Sequence, residues 1–260
     1  LAMYVRLAGN VHQEVASVNN NLALTFHEEG KLDSAEALYR HALAIYTKLY
    51  GDGHSQIARA LNNLAFVLHD KGELDAAAGL FQQSLEIRRK FLGNAHPDVA
   101  LAIHNLAGIL YYQKKHLQAE EMIREAIASW EKILPPNHPS MANSLFWQGR
   151  ILLALDEPQK AEQPLRKSLA IRQAVYAKDH ASIAKAQVEL GKNLLQQHRY
   201  GEASSLLLNG YETLKTSPGD QTQSLRECLQ LLINLYGAMK MREKAAQYDS
   251  LLALSQKPSP

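Results

Sequence analysis

HSQIARALNNLAFVLHDKGELDAAAGLFQQSLEIRRKFLGNA, residues 54–95, is the stretch that decides the fold. The residues that follow, His96-Pro97-Asp98-Val99-Ala100, begin the same pattern again. Histidine recurs at His12, His54, His96, His138 and His180, each step being 42 residues. An alanine follows four places later every time, at Ala16, Ala58, Ala100, Ala142 and Ala184. A second alanine keeps the period over six units: Ala35, Ala77, Ala119, Ala161, Ala203 and Ala245. A fixed period of about 20–50 residues marks a solenoid or array, whose units stack and share one core.

Two amphipathic segments lie within the quoted unit. Ile57, Ala58, Leu61, Leu64, Ala65 and Leu68 are spaced by threes and fours, as one face of a helix requires. Lys71-Gly72-Glu73 interrupts them, and Gly72 suits a left-handed position after a helix. Leu74, Ala77, Leu80, Phe81, Leu85 and Ile87 form the second face, and Leu92-Gly93-Asn94-Ala95 turns the chain into the next unit. No long alternating run suggests a strand. Each unit therefore reads as two antiparallel helices, with Ala65 and Ala77 small where they cross and Leu68 and Phe81 filling the space beside them.

The order Leu61, Leu64-Ala65, Leu68, Ala77, Phe81, Ser84 resembles the tetratricopeptide pattern of large, large-small, large, small, aromatic, small. Asn62-Asn63-Leu64-Ala65 and Gly93-Asn94-Ala95-His96-Pro97 resemble the longer, kinesin light chain type of that repeat. The resemblance implies an all-α, right-handed α-solenoid of helix pairs whose first helices line a concave groove. It is specific for fold and much less so for function.

Residues 1–10, LAMYVRLAGN, align with LAIYTKLYGD at 43–52, so 1–11 reads as the end of a preceding repeat and the chain is expected to continue upstream. Units are expected at about 12–53, 54–95, 96–137, 138–179, 180–221 and 222–254, in one solenoid over 1–254 with a flexible tail at 255–260. Lys114 replaces the mid-unit glycine of the third unit, and Phe146-Trp147-Gln148-Gly149 replaces the asparagine motif of the fourth. Pro164 stands where Leu80 stands; an interior proline costs about 3 kcal/mol, so that helix is expected to start late or bend. In the sixth unit Ile233 replaces the small residue and Asp249 the aromatic, as suits a polar terminal cap.

Composition narrows the function classes. The chain has 260 residues, 46% of them hydrophobic, and Lys+Arg 28 against Asp+Glu 26, so no strong field favours nucleic acid or a membrane surface. The single cysteine, Cys228, allows no internal disulfide and fits a reducing, cytoplasmic compartment. No apolar run is long enough to span a membrane.

The five in-register histidines resemble a metal array. Equivalent positions in stacked helices, however, lie roughly 8–10 Å or more apart, and zinc ligands must converge on one point. His96 and His138 instead precede Pro97 and Pro139, which marks helix starts. Cys228 lies among Leu225, Leu229 and Leu232 and reads as a core residue. No phosphate loop, zinc protease motif or paired carboxylates appear. The expectation is a chain without catalytic residues, cofactor or metal.

The informative surface is the inner face, where the resemblance places Asn20, Asn21 and Leu24, then Arg59, Asn62, Asn63, Phe66, His69 and Asp70. Next come His104, Asn105, Gly108 and Tyr111, then Asn143, Phe146, Trp147 and Arg150, then Lys185, Val188, Glu189 and Lys192. A side-chain amide can pair with an extended peptide backbone; the same asparagines can equally bond neighbouring helices, and both readings stand. The expected partner is a protein or peptide with acidic residues around one large apolar side chain, held by a scaffold or adaptor. A second reading comes from the last units, where Leu235-Tyr236, Glu243-Lys244-Ala245-Ala246 and Tyr248 resemble arrays found C-terminal to bacterial serine/threonine kinase domains. A purely structural spacer is the third.

Overall fold

Nine of the described residues have a backbone that L-residues rarely adopt, and six of them fall at the same place in the repeat. Gly30 and Gly72 have φ of 74° and 81°; Lys114, Asp156, His198 and Lys240 have φ of 61°, 60°, 60° and 60°. Each follows the end of a first helix. At Gly72 the amide bonds back to His69 O and the next amide to Leu68 O, which satisfies carbonyls the helix leaves open. The left-handed turn is thus a demand of the repeat, met by glycine in two units and tolerated by other residues in four.

The computed structural model describes residues 12–219 and 221–255. All regular elements among them are helices, in pairs: α1 Gln13–Glu28 and α2 Leu32–Tyr50; α3 Ser55–Asp70 and α4 Leu74–Leu92; α5 Pro97–Tyr112 and α6 His116–Ile133. Then come α7 Pro139–Ala154 and α8 Pro158–Val175; α9 Ala181–Gln196 and α10 Tyr200–Thr216; α11 Thr222–Ala238 and α12 Arg242–Ser255. The chain divides into two compact units, with α1–α6 in the first and α7–α12 in the second. The helix expected at residues 1–10 and the tail beyond Ser255 lie outside the described residues.

In the first unit the core passes from pair to pair. Val15 and Ala16 of α1, Ala42, Ile45 and Tyr46 of α2, and Ile57, Ala60 and Leu61 of α3 form one buried cluster, so α2 packs on the helices before and after it. In the second unit a buried cluster runs from Leu152 through Leu165, Leu190 and Leu207 to Leu235 and Tyr236. Within the units, α3, α5, α9 and α11 each pack on the second helix before and the second helix after them, which is the solenoid arrangement.

The helix crossings show why residue size is fixed. Ala65 and Phe81 are both buried in the α3–α4 pair. In the α7–α8 and α9–α10 pairs the aromatic becomes Leu165 and Leu207, and the opposing residue shrinks to Gly149 and Gly191. A Cβ at Gly149 would stand 2.3 Å from Leu165 Cγ, and one at Gly191 2.7 Å from Leu207 Cγ. Close approach also allows a side-chain tie: Ser84 Oγ donates to Ala58 O, and Ser168 Oγ to Ala142 O, both at 2.7 Å and buried.

Two features depart from the sequence reading. The helix containing Pro164 does not start late: α8 begins at Pro158, in register with Leu74 of α4, and runs through Pro164 to Val175. Pro158 at the first helical position presets φ, and Pro164 lies in the second turn, where it deprives only Lys160 O of its helical donor. In the last pair, Tyr248 rather than a residue at 249 supplies the aromatic. Its ring stacks on Tyr236 at 5.6 Å and meets Tyr211 edge-on at 6.2 Å, while α12 has no fully buried residue.

Candidate peptide-binding surface

The first helices α1, α3, α5, α7, α9 and α11 carry nearly all the residues expected at a binding surface, and the starts of α3, α5, α7 and α9 are set by histidine. His54, His96, His138 and His180 are N-caps whose Nδ1 accepts the amide of Gln56, Asp98, Ser140 and Ser182 at 3.2, 3.1, 3.1 and 3.1 Å. An imidazole here does what a serine or aspartate usually does for the orphan amides of a first turn. Rings stack behind two of them, Tyr50 on His54 at 4.0 Å and Tyr176 on His180 at 4.3 Å. His12 also stands at an N-cap, without a side-chain cap bond, and pairs with Glu14.

In the first unit an amide ladder ties successive first helices. Asn63 Nδ2 donates to Asn20 Oδ1 at 3.3 Å, and Asn105 Nδ2 to Asn62 Oδ1 at 2.9 Å. Asn20 is buried, Asn62, Asn63 and Asn105 are half-buried, and Asn21 is exposed. The asparagines therefore do bond neighbouring helices, and Asn62, Asn63 and Asn105 remain half-buried while doing so. Toward the C-terminal ends, Asp70 is shared by His27 at 2.6 Å and His69 at 2.8 Å, and His69 packs on Tyr112 at 4.6 Å. Tyr111 packs against Tyr112 and His116. Phe66 is 39% exposed yet meets Phe81 edge-on at 5.1 Å. Burial lowers the His104 pKa from its ordinary value to about 4, so His104 is a neutral member of this row at neutral pH.

A recess of about 370 Å³ opens at the N-terminal ends of α3 and α5, against the C-terminal end of α4. Ala58, Ile87, Phe91, Leu92 and Leu101 give it apolar walls, and Arg59 stands beside them. Phe91 is 57% exposed, an unusual position for a phenylalanine, and its ring lies over Gly53, where a Cβ would come within 2.7 Å. Arg88 also lines the recess, but it is spoken for: it donates to Asp98 O at 3.2 Å and lies 3.7 Å from the Asp98 carboxylate. Arg59 is exposed and forms no ion pair among the described residues.

In the second unit the expected aromatics and bases are largely used internally. Arg150 stacks over Trp147 at 4.7 Å and Phe146 at 5.9 Å, and lies 3.7 Å from Glu189. Lys192 takes the other Glu189 oxygen at 3.2 Å, and Glu189 is only 3% exposed. The excess of basic groups expected on this stretch is thus partly cancelled, and of Arg150, Lys185 and Lys192 only Lys185 is exposed. Cys228 is buried; burial, with Glu227 nearby, pushes its thiol up to about 12, and Sγ contacts Leu207 O at 3.4 Å. It is a core residue.

Sequence reasoning missed the recess and the ties at the mid-unit turns. Lys71 reaches back to Asp33 at 2.8 Å and Glu36 at 2.7 Å; Gln113 reaches Asp75 at 2.7 Å, and Gln197 reaches Glu162 at 3.1 Å. Positions 71, 113 and 197 differ by multiples of 42, so the register was there to find. No helix among the described residues is long and apolar enough to cross a membrane.

These features define a class: an α-solenoid of paired helices with an amide-lined face. The tetratricopeptide repeat model matches residues 14–90, 98–174 and 140–216, and the chain belongs to that family. No curated protein sequence matches it. Among solved structures, the kinesin light chain TPR-like repeats of Podosopora anserina align with a TM-score of 0.66 and 24% identity, over 80% of this chain and 99% of that one. BtubC (BKLC) from P. vanneervenii gives 0.69 and 20%, over 80% and 84%. The apo form of RapI gives 0.77 and 15%, over 98% and 87%. At these identities the likeness is one of fold.

Proposed function

We propose that this chain is a non-enzymatic interaction module, cytoplasmic, that holds a peptide or partner helix along its first helices as a scaffold or adaptor. The observation that carries the reading is the recess beside Phe91. An exposed aromatic wall, a volume fit for one large side chain, and an arginine without an internal counter-charge form a place for an apolar anchor next to an acid. The anchor supplies most of the affinity, and Arg59 orients the peptide. Asn62, Asn63 and Asn105 offer their amide groups to its backbone. Among the structural neighbours is a Rap protein complexed with Competence and Sporulation Factor, which agrees with a repeat array that holds a partner.

The site residues weighed from sequence take different parts in this reading. Arg59, Asn21, Asn62, Asn63, Phe66, Asn105, Tyr111 and Lys185 are offered to a ligand, whereas Asn20, His104, Phe146, Trp147, Arg150 and Lys192 support them from within. A peptide array compares acidic-aromatic with basic-aromatic sequences on the intact chain. The reading expects the acidic set to bind more tightly, and expects Phe91→Ala and Arg59→Glu each to abolish the preference. Equal binding of both sets, or indifference to both substitutions, overturns it. The likeness of the last units to kinase-linked arrays favours a second reading, in which this module recruits substrates for a signalling enzyme on the same polypeptide. A kinase assay on the polypeptide isolated from its native source tests that reading.

A further inference from the structure

Arg88 and Arg172 hold the same place in their repeats, near the C-terminal ends of α4 and α8. Each donates from Nη1 to a carbonyl in the first turn of the following first helix, Asp98 O at 3.2 Å and Ser182 O at 3.3 Å. Burial pushes both guanidinium pKa values down. Their counter-charges differ. Arg88 has the Asp98 carboxylate 3.7 Å away; position 182 is serine, and no carboxylate pairs with Arg172 among the described residues. Arg172 is 7% exposed, and its other bonds go to neutral groups, Ser168 Oγ at 3.2 Å and Asn143 Oδ1 at 2.9 Å. The Phe146 ring lies 5.1 Å from it.

A second cation follows from the repeat register: Asn143, Arg172, Ser182 and Lys185 stand 84 residues beyond Arg59, Arg88, Asp98 and Leu101, which together line the recess of the first unit. Lys185, one turn beyond Ser182 on α9, is exposed and forms no ion pair among the described residues. Glu189, the next acid along that helix, is occupied by Arg150 and Lys192. A largely buried charge without a counter-charge is costly, and the cost falls when an anion completes the site. Two cations with no acid suit a dianion better than a single carboxylate. An arginine fork, an ammonium and an amide NH2 match the several oxygens of a phosphate monoester.

We propose that Arg172, Lys185 and Asn143 form a binding site for the phosphoryl group of a phosphorylated peptide. The proposal rests on the reading that partners lie along the first helices, but the two fail separately, because Arg59 and Phe91 belong to the other compact unit. In the first unit Asp98 supplies internally what the ligand supplies here, so Ser182→Asp is the discriminating substitution. It places an acid beside Arg172 as Asp98 stands beside Arg88.

The experiment uses the whole 260-residue chain and three peptide libraries. They are identical except for a fixed central phosphoserine, serine or glutamate. The phosphoserine library is expected to be enriched by about tenfold or more over both others. Ser182→Asp should remove the enrichment while raising the urea midpoint, and Lys185→Glu should remove it with the midpoint unchanged. Phe91→Ala should leave it in place. Equal capture of phosphoserine and serine overturns the proposal. So does equal capture of phosphoserine and glutamate, or enrichment that survives both Ser182→Asp and Lys185→Glu.

Discussion

Glycine-to-alanine substitution inside a helix should have opposite signs at two places in this chain, and the geometry gives both. Gly79 lies on the exposed face of α4, and a Cβ there would meet nothing within 4 Å. Alanine gains about 0.5–1 kcal/mol over glycine in a helix interior, so Gly79→Ala should stabilise by about that amount. Gly149 carries the same propensity gain, but its Cβ would stand 2.3, 2.4 and 3.1 Å from three Leu165 atoms. Leu165 is fully buried and cannot swing away. Overpacking of this kind costs about 1–3 kcal/mol, which leaves Gly149→Ala destabilising by about 1–2 kcal/mol after the propensity gain. Urea unfolding followed by far-UV circular dichroism reads both. Adding Leu165→Ala to Gly149→Ala should recover part of the loss relative to the sum of the single changes, because it removes the clashing atoms. If both glycine substitutions move the midpoint the same way, or the double variant is strictly additive, the crossing is not as tight as these distances make it.

Three further outcomes follow from particular residues. Ala77, fully buried at a crossing, should not accept leucine: Ala77→Leu is expected to cost about 1–3 kcal/mol, and an unchanged urea midpoint would refute its placement. At φ 81° with open space around it, Gly72 isolates a purely conformational demand. Gly72→Ala should cost about 1–2 kcal/mol, whereas Lys114→Ala, already an L-residue at φ 61°, should be near neutral. His104 has a folded pKa of about 4, below its ordinary 6.5. The folded state therefore binds fewer protons, and the stability this histidine contributes is fully present above about pH 6.5 and lost as pH falls toward 4. His104→Gln should flatten that part of the pH–stability curve, and an NMR titration of the His104 ring with a midpoint near 6.5 would contradict it.

The fold was legible because the repeat writes the same physical requirement many times. Ala35 to Ala245, the mid-unit glycines and the histidine row each announce a position where size, backbone angle or capping is constrained. The structure adds that Lys114, Asp156, His198 and Lys240 keep the left-handed turn of Gly72 without glycine. What the period could not show was how charges and rings divide between inside and outside. Phe146, Trp147 and Arg150 read as groove residues, yet they pack on one another, because a polar-aromatic run on a first helix satisfies its neighbours before it meets solvent. Phe91 went unremarked and Leu92 read as part of a turn, yet both end α4, stay exposed and wall the recess. Pro164 read as making the helix start late or bend, yet α8 starts at Pro158, where a proline at the first position presets the backbone.

The central claim is that a partner lies on the N-terminal ends of the first helices, with its apolar anchor beside Phe91. The most direct measurement is a 15N-labelled chain titrated with the tightest acidic-aromatic peptide from the array. Amide shifts should saturate together and concentrate at Ser55–Arg59, Ile87–Leu92 and Asp98–Leu101, the segments that enclose the recess. Shifts that fail to saturate, or that concentrate instead on the exposed faces of α2, α4 and α6 away from that recess, would contradict it.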